Sequence, residues 1–279
     1  MTKLAIIFGT PRCGSNFFLS ACKRLEDLTT YGEMYHHQTP FPFCGGLEAD
    51  NEFRVALLRR LAAKHPEIVP EWEIAAESNE RSNIDSLLVT ISHQYPGKFL
   101  NTFLSMADKK NVIFKIFPNH LKAGQMLRII KWCDPHVLLM TRNPLDTFIS
   151  AQKAAVLNNY ANIDTTDLKI DFDLEAYFAY KASLQAYYDM ITDYCVETNR
   201  GIRHVDYDSI HAGNDVNSHE YIRQLVSMVF AEDLKYRNSD IPPVSFRKQD
   251  RSSDLNQKVK NPNALPRTKQ CIRLRDQCA

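Results

Sequence analysis

No apolar run in this chain of 279 residues approaches the roughly 18 residues that span a bilayer, so no transmembrane helix is expected. The N-terminus has Lys3 and then only Leu4–Phe8 before Gly9, too short for a secretory signal peptide. The seven cysteines (Cys13, Cys22, Cys44, Cys133, Cys195, Cys271 and Cys278) are odd in number and scattered, and neither C-x-x-C nor H-E-x-x-H occurs. No zinc site and no disulfide framework is indicated. No metal is therefore expected, and a reducing cytoplasm is the expected setting. A strongly basic balance is also missing. The net charge is +1, which argues against a general nucleic-acid binder. Internal repeats and low-complexity segments are absent.

The composition is that of a globular protein, 44% hydrophobic and 24% charged. The length suits one α/β domain over 1–279. A local basic excess lies between Arg247 and Arg275, within a C-terminal segment of about 244–279 that has no periodicity. Such runs are commonly solvated tails.

The informative stretch is near the start, K-L-A-I-I-F-G-T-P-R-C-G-S-N-F-F-L-S-A-C. Leu4–Phe8 reads as a buried parallel strand. Gly9–Asn16 is a loop, and Phe17–Leu28 has helical spacing. Strand, glycine-bearing loop and helix N-terminus together make an anion site, because unpaired helix-start N–H groups converge there and the dipole favours negative charge. Arg12 adds a fixed charge with a planar fork of donors, and Ser15 adds a hydroxyl. Gly9 and Gly14 are spaced as in G-x-x-x-x-G-K-[ST], but Ser15 stands where that pattern has its lysine. The loop should hold phosphates without the lysine that serves a nucleoside triphosphate.

T-P-R-C-G-S-N resembles the 5′-phosphosulfate loop of sulfotransferases that use 3′-phosphoadenosine 5′-phosphosulfate (PAPS), which often read T-P-R-S-G-S-T. Cys13 and Asn16 are the departures. The resemblance implies a P-loop NTPase-like sulfotransferase fold, an α/β three-layer sandwich with a central, mainly parallel sheet. It assigns Pro11, Arg12, Cys13, Gly14, Ser15 and Asn16 to the cofactor's 5′ end. A second matching segment is R-N-P-L-D-T-F-I-S, where Arg142 and Ser150 keep the spacing of the family's 3′-phosphate site. Alone, Arg142 could simply cap a corner and pair with Asp146. A third is Arg247-Lys248, similar to the family's R-K-G closure over the 3′-phosphate, with Gln249 in place of glycine. Gly32-Glu33 matches the Gly-Glu pair whose carboxylate is the general base in bacterial and carbohydrate members. Lys115, in the strand Asn111–Phe117, lines up with the lysine on the sulfuryl group. His120 is displaced relative to the cytosolic members' histidine and stands as a second choice of base.

The rest reads as a loop over 29–46, helices over Asn51–Lys64, Ser82–Gln94 and Phe99–Met106, a helix over Leu121–Trp132 and a strand over His136–Thr141. A helix from Pro144, a helix over Asp171–Asn199, a strand over Ile202–Tyr207 and a helix over Ser218–Phe230 follow. The helical insertion over about 49–108 is where the resemblance places the acceptor pocket. The expected enzyme moves the sulfuryl group of PAPS to a hydroxyl or amine acceptor, releasing 3′,5′-ADP, without a metal. The acceptor would be a carbohydrate, lipid or small metabolite. A P-loop nucleotide or metabolite kinase and an inactive nucleotide-binding protein are the alternatives.

Overall fold

The computed structural model describes residues 2–39, 51–68, 81–107, 109–158, 164–210, 215–237 and 254–266. Five strands, β1 (Lys3–Phe8), β2 (Leu28–Glu33), β3 (Asn111–Ile116), β4 (His136–Thr141) and β5 (Ile202–Asp206), form one sheet in the order β2-β3-β1-β4-β5. Every neighbouring pair is parallel. The helices are α1 (Ser15–Cys22), α2 (Asn51–Lys64), α3 (Arg81–Gln94), α4 (Pro96–Leu104), α5 (Ala123–Cys133), α6 (Pro144–Val156), α7 (Leu174–Glu197), α8 (Tyr207–Ile210) and α9 (Asp215–Phe230).

The layers follow from strand alternation. Leu4, Ile6 and Phe8 of β1 join Val112, Phe114, Ile116, Val137 and Leu139 on one face, under residues of α2, α3, α4, α5 and α7. Ala5 and Ile7 join Ile113, Leu138, Met140 and Val205 on the other, under α1 and α9. The architecture is the expected α/β one with helices on both faces, and the sheet is wholly parallel. A smaller cluster packs Leu145, Phe148 and Ile149 of α6 against Ile170, Phe172, Tyr177 and Val259.

Two local expectations are corrected. The first helix stops at Cys22 rather than Leu28. Leu25 makes an isolated bridge to Tyr236, and Asp27 turns the chain at φ 55°. Leu28–Glu33 is then an edge strand, where a loop is expected from the Gly, Pro and aromatic content beyond it. Leu28, Thr29, Thr30 and Tyr31 are strand-forming types, and β3 supplies the pairing that the local pattern hides. The β2–β3 register slips between Thr30 and Glu33: Thr30 faces Ile113, but Glu33 faces Lys115. Three steps on β2 match two on β3, so β2 carries a bulge that re-aims its last side chain.

Pro144 opens α6 as expected, and Asn143 caps it. The Asn143 Oδ1 accepts from the N–H groups of Leu145 at 2.9 Å and Asp146 at 3.4 Å. Replacing Asn143 with Ala should cost about 1 kcal/mol of stability, measurable by urea denaturation.

Candidate active site

The connections leave β1 and β4 in opposite directions along the sheet. A crevice for ligands is expected outside the carboxyl ends of two such strands. The Gly9–Asn16 loop follows β1 and Arg142 follows β4, so the two segments expected to bind anions meet at this point. The loop closes with the Cys13 N–H donating to the Thr10 carbonyl at 3.1 Å. Helix α1 begins after Gly14 without a side-chain cap. Two residues of the loop have left-handed backbones, Arg12 at φ 74° and Gly14 at φ 93°. Gly14 has no alternative: a Cβ there would also run into the Tyr207 ring. At Gly9 a Cβ would lie 2.9 Å from the Cys13 Sγ and 3.3 Å from the Met140 carbonyl oxygen. Cys13 and Ser15 are buried, while Pro11 is exposed.

The two arginines are direct neighbours. The Arg142 Nη1 donates to the Arg12 carbonyl at 2.9 Å, and the Arg12 Nε donates to the Ser150 Oγ at 3.0 Å. The Arg142 guanidinium stands 4.2 Å from the centroid of the Tyr207 ring, within cation–π range. Burial, and then the charge of Arg142, lower the Arg12 pKa. Two cations pressed together in this way favour an anion between them. Asp146 meets Lys258 at 3.1 Å. Lys258 belongs to a C-terminal stretch pinned to Ile170 by backbone bonds of 3.2 and 2.8 Å, so part of the basic segment has a packing role. Arg247 and Lys248 lie outside the described residues.

A second cluster adjoins the loop. The Lys115 Nζ lies 3.2 Å from the Glu33 Oε1 and also donates to the Asn16 Oδ1. The His120 Nε2 lies 3.3 Å from the Glu33 Oε2. The bulge of β2 aligns Glu33 with Lys115. Asn16 in the first turn of α1 takes the same ammonium, and the turn after β3 delivers His120. Lys115 and His120 are each 1% exposed, so this is a desolvated charge cluster. Burial alone would raise the Glu33 carboxyl. The hydrogen bond from His120 and the charge of Lys115 outweigh it and hold the pKa at about 2. Burial lowers the His120 pKa despite Glu33, so the ring is neutral near pH 7 and Lys115 is the resident countercharge.

The tautomer of His120 follows from its bonds. Its Nδ1 accepts from the Phe117 N–H at 3.2 Å, which puts the proton of the neutral ring on Nε2. Nε2–H then donates to Glu33, and neither nitrogen has a lone pair left for an incoming proton. Among the two candidate bases, the carboxylate retains acceptor capacity and the imidazole orients it. His36 also belongs here: its Nε2 is 3.9 Å from the Glu33 Oε2. Its Nδ1 accepts from the Gln38 and Thr39 N–H groups at 3.3 Å each. Tyr207, Asn143 and His36 were not legible as site residues.

Among the described residues no group of three or more His, Cys, Asp or Glu is arranged to hold a metal ion, and no helix is long and apolar enough to cross a membrane. No family model matches the chain, and no curated protein does. Its structure is similar to the crystal structure of a sulfotransferase from Alicyclobacillus acidocaldarius, at 13% identity and a TM-score of 0.45, over 89% of this chain and 86% of that one.

Two outcomes are expected. Gly14→Ala should lose at least about 2 kcal/mol, from left-handed strain and the collision with Tyr207. A normal urea midpoint would contradict the loop geometry. Glu33→Gln should cost on the order of 3 kcal/mol at pH 7, because Lys115 loses its countercharge. The Glu33 pKa is depressed on folding, so its contribution is present above the ordinary carboxylate range and is lost as pH falls towards about 2. The gap between wild type and variant should therefore narrow between pH 5 and pH 2, as read by denaturation at each pH.

Proposed function

We propose that the chain is a PAPS-dependent sulfotransferase, acting on a hydroxyl or amine acceptor. The observation that carries this reading is the joining of Arg12 to Ser150 and Arg142, 138 and 130 residues apart in sequence, at the mouth of one crevice. That pairing suits a nucleotide with two separate phosphate positions better than a triphosphate chain, whose lysine the loop lacks. The residues fit PAPS in charge and kind. The loop N–H groups and Arg12, with Cys13, Gly14 and Ser15, would hold its 5′ end, and Arg142, Ser150 and Arg247-Lys248 its 3′-phosphate. When bound, the cofactor supplies an activated sulfuryl group.

The protein's own part is positioning and electrostatics. Glu33 accepts the proton of the acceptor's nucleophile, and His120 fixes the carboxylate through its Nε2–H. While Lys115 stays on Glu33 the carboxylate is a weak base. An anion in the crevice that draws the ammonium away raises its basicity. Asn16 keeps Lys115 poised between the two. The helices between β2 and β3 are proposed to shape the acceptor site within a single domain over 1–279. Cys13, Cys22, Cys133 and Cys195 are free thiols, in keeping with a reducing, cytoplasmic setting.

Isothermal titration tests the cofactor. The expected result is binding of 3′,5′-ADP and little or none of ATP, with Arg142→Ala weakening 3′,5′-ADP by about tenfold or more. Binding of ATP but not 3′,5′-ADP would make the kinase reading correct instead. Glu33→Gln should keep 3′,5′-ADP affinity and lose transfer from labelled PAPS by about 10²–10⁴-fold. Wild-type protein that binds 3′,5′-ADP and transfers to no acceptor would point to a nucleotide-binding protein without catalysis.

A further inference from the structure

Beside His120 lies a pocket of about 690 Å³. Its walls are His93 and Gln94 at the end of α3, Tyr95 before α4, and Asn119, His120 and Lys122 from the turn between β3 and α5. The walls are tied together. The Gln125 Nε2 donates to the His93 carbonyl at 2.6 Å, and the Gln125 Oε1 accepts from the Lys122 N–H at 3.0 Å. The pocket is therefore preformed and comes within one side chain of the Glu33 carboxylate, since His120 touches both.

Its chemistry is one-sided. Among the described residues no Asp or Glu lines it, and Lys122 is its permanent cation. Gln94 and Asn119 offer amides suited to hydroxyl groups, and Tyr95 offers an aromatic face. His93 adds an imidazole to the lining. A cationic acceptor would face Lys122 with no countercharge among the described residues.

We propose that this pocket holds the body of the acceptor and selects a polyhydroxylated carboxylic acid of the sugar-acid class. Lys122 takes the carboxylate, Tyr95 lies against the C–H face, and the Gln94 and Asn119 amides bond the hydroxyls. As the acceptor site, the pocket rests on the sulfotransferase reading; its ligand preference is a property of these residues alone.

The test is NMR of protein labelled with ¹⁵N at histidine, titrated with glucuronate and with glucose. Glucuronate should shift the His93 and His120 ring signals saturably, with glucose at least about tenfold weaker. Lys122→Glu, a change at an exposed position, should weaken glucuronate by about tenfold or more while leaving glucose unaltered. Equal response to the two sugars, no response of either histidine, or undiminished glucuronate binding by Lys122→Glu overturns the proposal. Titration of the same samples with 3′,5′-ADP keeps the two readings apart. Binding of 3′,5′-ADP with no glucuronate response sinks the pocket assignment alone. Glucuronate selectivity without 3′,5′-ADP binding sinks the sulfotransferase reading and leaves the sugar-acid site standing.

Discussion

The site is organised around one costly object, the ammonium of Lys115 buried to 1% exposure between Phe114 and Ile116 near the end of β3. An isolated charge in such a place costs several kcal/mol, so the surrounding chain has to answer it. Glu33 does so from the neighbouring strand, but only because β2 slips by one residue before its end. Without that slip Gly32 would face Lys115. Asn16 answers from above and His120 holds the second carboxylate oxygen. An apolar side chain in place of Lys115 would make a simpler sheet, since a buried ion pair is rarely worth its desolvation. Its retention at the carboxyl end of the central strands, where ligands bind in such sheets, is the physical argument for chemistry there.

The arginines make a parallel argument. Arg12 sits in a left-handed conformation that a β-carbon disfavours, and Arg142 crowds it with a like charge. Neither feature helps the folded state. Ser150, the Tyr207 ring and the loop backbone hold the pair in place. Strain and like-charge contact at a topological switch point are what a preformed anion site requires, because the groups must be oriented before the anion arrives.

Strand-loop-helix order, proline at the start of α6 and glycine spacing are local signals, and they made β1, the loop, β4 and Arg142 legible in the sequence. Glu33 was legible only through the Gly-Glu resemblance, because its strand was not. β2 is a short edge strand followed by proline, glycine and aromatic residues, and its pairing partner lies far along the chain. His120 read only as a second choice of base, displaced from the histidine of the resemblance. Its role comes from two bonds, one to the backbone of Phe117 and one across the sheet to Glu33, and neither leaves a spacing to read. Tyr207 and His36 were hidden for the same reason, since stacking on Arg142 and approach to Glu33 are wholly tertiary.

Asn16, one of the two positions where T-P-R-C-G-S-N departs from the loop it resembles, has a physical account. Its amide oxygen accepts from Lys115, a task that a short hydroxyl reaching for a phosphate would not perform across the same gap. Asn16 and Arg12 are four residues apart on one segment, the loop and the first turn of α1. Whatever fills the loop and engages Arg12 therefore acts on the helix start that carries the Asn16 amide. Lys115 is shared between that amide and the Glu33 carboxylate, so anion binding at the loop and the basicity of Glu33 are linked through a single proton donor. On the proposed function, Glu33 would then be a base whose strength depends on the anion being in place, without any movement of the sheet.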